Sequence, residues 1–188
     1  MKLSAPKMFW GLFVLVLFLS GCGETDPDPA SVVVGSRAPS FSLASLDGTT
    51  VKSSDLKGSV VVLNFWATWC QPCMGEIPEL KQFAASSKAK VVGIALDPDG
   101  LKTIKPFVAS NDINYTVLVG DEEVFQRFNG LGIPYTLVLD SSQRIVKIYR
   151  GPTTRDALEQ DLKAISLDAA SLSGAPVPAG PGAVSELK

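Results

Sequence analysis

The stretch Val60-Val61-Val62-Leu63-Asn64-Phe65-Trp66-Ala67-Thr68-Trp69-Cys70-Gln71-Pro72-Cys73 decides the reading of this chain. It opens as a continuous apolar run of strand length and closes on two cysteines with two residues between them. The next segment has helical periodicity: Cys73, Ile77, Leu80 and Ala84 recur at spacings of three and four, which predicts an amphipathic helix over about 72–86. Pro72 suits its first turn, where the missing N–H would have been unbonded anyway. Pro78 removes the N–H that would bond the carbonyl of Met74, so a bend is predicted about one turn after Cys73. Two thiols three positions apart at the head of a helix lie on neighbouring faces and can close a disulfide that opens again. Cys70 then sits at the positive end of the helix dipole, which favours thiolate over thiol and predicts a pKa below that of a free cysteine. Cys73, one turn further in, is predicted to be the less exposed, resolving sulfur.

With 188 residues, 46% hydrophobic and 19% charged, the chain has the makeup of one globular domain plus extensions. The formal net charge of -2 gives no sign of nucleic-acid binding. The sequence contains no histidine, which excludes serine–histidine and cysteine–histidine catalysis and histidine-containing zinc sites. Met74 stands where a haem-attachment motif needs histidine. No cofactor and no metal are expected.

The N-terminus explains the third cysteine. Lys2 and Lys7 precede an apolar run from Met8 to Leu19, followed by Ser20-Gly21-Cys22. That run is shorter than the roughly 20 residues a spanning helix needs, so it reads as the core of an export signal. Leu19-Ser20-Gly21-Cys22 resembles the bacterial lipobox, in which the cysteine is lipidated and becomes the new N-terminus. Residues 1–21 are therefore expected to be a lipoprotein signal peptide and Cys22 a membrane anchor. Its removal leaves 15 basic against 19 acidic residues. An uncleaved signal anchor and a free Cys22 thiol are the alternatives. Export would place the domain in a bacterial envelope compartment, periplasm or outer surface, where disulfides form readily. The remaining pair must then be a structural bond or a redox tool.

Composition divides the rest. Residues 22–36, acidic and proline-bearing (Glu24, Asp26, Pro27, Asp28, Pro29), read as a flexible linker. A folded domain is expected over 37–166, and 167–188 reads as a disordered Ala/Ser/Gly/Pro tail. Within the domain, Phe41 to Val51 around Asp47-Gly48 predicts a hairpin, and Val91 to Leu96 a second buried strand. Ile104, Phe107 and Val108 mark a helix, Tyr115 to Val119 a strand, and Val124, Phe125 and Phe128 a short helix. Tyr135 to Leu139 and Ile145 to Tyr149 predict a hairpin. Leu158, Leu162 and Ile165 predict a closing helix capped by Thr153, with Asp156 in its first turn. Strand, helix, strand in this order implies a parallel crossover, hence an α/β fold: a mixed sheet with helices on both faces.

Asn64 to Leu80 as a whole resembles the active-site signature of thioredoxin-fold thiol:disulfide oxidoreductases, specifically the membrane-anchored TlpA/ResA branch. Gly132-Ile133-Pro134-Tyr135-Thr136 is similar to that fold's cis-proline loop. The resemblance covers roughly 35–165. It implies a thioredoxin-like three-layer fold with an N-terminal β-hairpin, and a redox-active Cys70–Cys73 disulfide. It also implies catalytic roles for Cys70, Cys73, Glu76 and Pro134. Two positions depart from the wider pattern: Asn64 replaces a buried aspartate that moves protons, and Tyr135 replaces the threonine that more often follows the proline. The resemblance further implies protein disulfides as substrates, among them apocytochrome c or copper-site thiols, and a membrane thiol carrier as electron donor.

The neutral readings stand beside these. The cysteine pair as half a zinc site lacks a second ligand pair. Pro134 as an ordinary turn residue would be trans; in the cis form it would let Ile133 pair with an extended substrate segment. Glu76 is either a surface acid favoured by the helix dipole or a proton-handling group. Trp69 is expected on a hydrophobic rim around the disulfide, where a substrate would touch it, Trp66 in the core and Met74 in packing. A thiol peroxidase and a non-catalytic binding lipoprotein are the competing functions.

Overall fold

A computed structural model describes residues 32–172. The expected signal peptide, Cys22, most of the expected linker and most of the expected tail lie outside the described residues. A hairpin of β1 (Ser42–Ser45) and β2 (Thr50–Lys52) is followed by a 3-10 turn (Ser53–Leu56). Then come β3 (Val61–Trp66), α1 (Gln71–Ser86), β4 (Lys90–Ala95), α2 (Leu101–Ser110) and β5 (Thr116–Val119). The chain closes with α3 (Glu122–Arg127), β6 (Tyr135–Leu139), β7 (Ile145–Arg150) and α4 (Arg155–Leu172).

The seven strands of the described residues join one sheet in the order β2-β1-β5-β4-β3-β6-β7. The pairs β3–β4 and β4–β5 are parallel, because α1 and α2 carry the chain back between them, and the other pairs are antiparallel. β3 lies between β4 and β6, and all six of its residues are buried, as a central strand covered on both faces must be. Its two faces serve different layers. Val61, Leu63 and Phe65 pack with Leu56, Val124, Phe125 and Phe128, the layer that holds α3. Val62 faces Leu80 and Phe83 of α1 and Leu158 of α4, while Trp66 faces Cys70, Cys73 and Ile77 of α1 and Ile104 of α2. The thioredoxin-like three-layer arrangement expected from the sequence is what the chain adopts.

Helix α1 runs unbroken through Pro78. The N-terminal hairpin is more than an appendage, since β1 pairs with β5 and extends the main sheet. Both ends of the domain reach past the boundaries expected from composition. Val32 is buried, Gly35 N–H donates to Ile145 O at 2.7 Å, and Ile145 N–H donates to Ser36 O at 2.9 Å. Apolar Val32 and the backbone of Gly35 and Ser36 therefore belong to the fold, and the linker ends earlier than 36. At the other end α4 continues to Leu172, because no glycine or proline interrupts the chain before Gly174. Its cap is also shifted: the Thr154 hydroxyl accepts from Ala157 N–H at 3.3 Å, while Thr153 N–H is used elsewhere. Among the described residues no helix is long and apolar enough to cross a membrane.

Candidate active site

β3 ends at Trp66, and the next four residues turn the chain into α1, with Cys70 N–H donating to Ala67 O at 3.1 Å. Cys70 is the N-cap of α1 in extended conformation, and its sulfur accepts from Cys73 N–H at 3.3 Å. A cap side chain that satisfies a first-turn N–H is usually an oxygen; here sulfur takes the place. The Cα atoms of Cys70 and Cys73 are 5.3 Å apart and the sulfurs are joined in a disulfide. Both cysteines are buried, Cys73 at 1% and Cys70 at 4% exposure, so Cys70 is the less enclosed residue of the pair. Trp66 lies beneath the pair in the core, and Met74 is half-buried against the same cluster.

The peptide bond between Ile133 and Pro134 is cis. Ile133 packs against the cluster that contains both sulfurs, and the Pro134 carbonyl accepts from Gly151 N–H at 2.9 Å, which fixes the loop from behind. Two large apolar side chains stand out from the surface here. Trp69, beside Cys70, is 63% exposed, and Leu131, two residues before Ile133, is 83% exposed. Sequence reasoning misses Leu131; an apolar residue between Gly130 and Gly132, outside any periodic run, is the one signal that could have found it.

Glu76 is no surface acid. It is 1% exposed, because the turn of α1 that carries it faces the sheet. Its carboxylate accepts from Asn64 Nδ2 at 2.9 Å, from Thr153 N–H at 3.0 Å and from the Thr136 hydroxyl at 3.4 Å. Asn64 Nδ2 also donates to Thr136 Oγ1 at 2.8 Å. Burial pushes the Glu76 carboxyl above the usual carboxylate range, against the opposing pull of these donors. The nonionisable Asn64 thus holds an acid reached from α1 instead of supplying one from β3. The phenol of Tyr115, pushed up by burial and by the charge of Glu76, belongs to the same interior. Trp66 Nε1, Tyr115 OH and Asn64 Oδ1 are buried without a hydrogen-bond partner among the described residues. Gly93 of β4 makes room for the first two: a Cβ there would lie 2.8 Å from Trp66 Nε1 and 3.2 Å from Tyr115 Cε2.

Tyr135 does not shape the groove. Alternation along β6 sends it to the opposite face, where it stacks on Phe65 and its hydroxyl donates to Phe128 O at 3.0 Å. Among the described residues no cluster of acids and cysteines could hold a metal ion.

A disulfide at the head of a helix, facing a cis-proline loop on a mixed sheet, places the chain among thioredoxin-fold disulfide-exchange proteins. A family model described as the AhpC/TSA family matches residues 34–156, and the chain belongs to that family. It is 32% identical to thiol-disulfide oxidoreductase ResA of Bacillus thuringiensis subsp. konkukian over 166 residues, 82% of this chain and 96% of that protein. It is likewise 32% identical to the thioredoxin-like protein YneN of Bacillus subtilis, over 68% of this chain and 78% of the other. Among solved structures, a thioredoxin-family thiol:disulfide interchange protein from Chlorobium tepidum superposes with a TM-score of 0.62. It is 32% identical, with 71% of this chain and 97% of the other covered. The protein is a thiol-disulfide oxidoreductase of this kind.

Proposed function

We propose that the protein is a lipid-anchored reductant of disulfides in particular envelope proteins, with Cys70 as attacking and Cys73 as resolving sulfur. The observation that carries this reading is the position of Cys70. It caps α1, where the first-turn N–H groups and the helix dipole favour negative charge on its sulfur once the disulfide opens. The Cys70 thiolate attacks one sulfur of the target disulfide, and the other target sulfur leaves as a thiolate and takes up a proton. Cys73 then gives up its proton, and its sulfur attacks Sγ of Cys70. The Cys70–Cys73 bond closes as the second target sulfur leaves as a thiolate and is protonated from solvent. The pair thus loses two electrons and the Cys73 proton, while the target gains two electrons and, with solvent supplying the balance, two protons. Glu76, three residues after Cys73 on α1 and made a stronger base than an exposed carboxylate by burial, is the acid of this interior assigned to take up the Cys73 proton.

The exposed Trp69 and Leu131 offer an apolar rim, and the backbone of Ile133 before the cis-proline offers a strand edge. Together they fit an extended polypeptide with apolar side chains flanking its cysteine. Apocytochrome c and copper-site proteins fit this description, and a membrane thiol carrier would return electrons to the pair. Cys22 supplies the anchor; a Cys22→Ser chain that still partitions with membranes would contradict that part.

The test is insulin disulfide reduction with single-cysteine variants. Cys70→Ser should be inactive with its fold intact, and Cys73→Ser should accumulate a mixed disulfide with substrate. Full activity in Cys70→Ser overturns the mechanism, and rapid peroxide consumption by the wild type in place of disulfide reduction would make it a thiol peroxidase.

A further inference from the structure

The carboxylate of Asp97 is buried just past the end of β4, 4% exposed. A buried carboxylate is costly unless hydrogen bonds compensate it. Here they converge on one residue. Both oxygens accept the Thr68 N–H, at 3.3 and 3.1 Å, and Oδ1 also accepts the Thr68 hydroxyl at 2.5 Å. Thr68 is the second residue of the Ala67–Cys70 turn, closed by Cys70 N–H on Ala67 O. That turn sends Trp69 outward and places Cys70 at the head of α1. Asp97 is itself fixed by the sheet: Leu96 N–H donates to Trp66 O at 2.9 Å, and the Asp97 carbonyl accepts from Gly100 N–H at 2.9 Å. Asp97 therefore ties the cysteine turn to β4, although the sequence shows it only as the first residue of the turn Asp97-Pro98-Asp99-Gly100.

While the disulfide is closed, the bond to Cys73 also restrains Cys70. When it opens, that restraint is lost and the Asp97–Thr68 clamp remains. We propose that Asp97 is a positioning residue: acting through Thr68, it holds the Ala67–Cys70 turn of the reduced enzyme so that the Cys70 sulfur meets an incoming disulfide in a fixed orientation. This rests on the disulfide-exchange reading above. Small misplacements of a reacting group cost one to two orders of magnitude in rate, so loosening the turn should be visible in kinetics before it is visible in the fold.

The experiment measures the second-order rate of attack by the pre-reduced protein on insulin, for wild type, Asp97→Ala, Thr68→Val, Thr68→Ser and the Asp97→Ala/Thr68→Val double variant. Asp97→Ala and Thr68→Val should each be slower by about tenfold or more. Thr68→Ser, which keeps hydroxyl and N–H, should recover most of the rate lost in Thr68→Val. Because the two residues act as one unit, the double variant should be no slower than the slower single variant. Far-UV circular dichroism of each oxidised variant checks the fold; if Asp97→Ala does not fold, Asp97→Asn takes its place in the cycle. A wild-type rate in the folded Asp97 variant, or losses that multiply in the double variant, overturns the proposal. Activity surviving in Cys70→Ser instead overturns the underlying mechanism, whatever Asp97 does.

Discussion

Truncating Glu76 tests how much the buried carboxylate holds together. Glu76→Ala removes the acceptor of Thr153 N–H at 3.0 Å and of Asn64 Nδ2 at 2.9 Å, and a longer contact from Thr136. Each buried donor left unsatisfied costs about 1–3 kcal/mol. Asn64 keeps its bond to Thr136 Oγ1, and losing a desolvated charge returns part of the cost. The net expectation is a loss of about 2–4 kcal/mol, or roughly 5–15 °C in melting temperature for a domain of this size. Glu76→Gln keeps an acceptor for Thr153, and Asn64 can turn to present Oδ1, so its stability should lie within about 1 kcal/mol of wild type. Urea unfolding of the oxidised proteins at neutral pH measures both. The pH dependence has a fixed sign. Burial raises the folded-state pKa of Glu76 above its unfolded value, so the folded protein binds this proton more tightly. Wild type should be most favoured over Glu76→Gln below the ordinary carboxylate pKa, and lose that advantage as pH rises through the raised folded value. An alanine variant as stable as wild type, or an advantage that grows with pH across this window, would be incompatible with this balance of burial against hydrogen bonding.

Other substitutions probe the surroundings. Gly93→Ala pushes a methyl to 2.8 Å from Trp66 Nε1 and should cost about 1–3 kcal/mol in unfolding free energy by overpacking. Trp69→Ala, at a residue 63% exposed, should lower the rate on insulin more than the rate on a small disulfide, with little change in melting temperature. Thr154→Ala should cost about 1 kcal/mol by removing the cap of α4, as read by denaturant unfolding.

The sequence carried the frame of the fold because its signals were local. The Val60–Phe65 run, the period of Cys73, Ile77 and Leu80, and the Tyr135–Leu139 run each declared an element on their own. Cys70, Cys73 and Pro134 were legible through their motifs. What escaped depended on contacts between distant segments. The surroundings of Glu76 come from Asn64, Thr136 and Thr153, on β3, on β6 and just before α4, and only the folded sheet brings them together. Thr153 offers the same capping chemistry as its neighbour, but α4 begins at Arg155, which puts Thr154 at the cap position, and Thr153 donates its N–H to Glu76 on α1. Asp97 read as turn punctuation, and its 29-residue reach to Thr68 had no sequence signature. Val32 follows a run of acids and prolines whose composition masks it, and only its burial against the sheet shows that it belongs to the fold.

Whether Cys70 is the activated sulfur, on which the exchange chemistry depends, is decided by limited alkylation of the reduced full-length protein across a pH series, with the labelled cysteine located by mass spectrometry. Cys70 should be modified first, with a midpoint clearly below the value of about 8.5 for a free thiol. Preferential labelling of Cys73, or no labelling of either until the protein unfolds, would contradict that assignment.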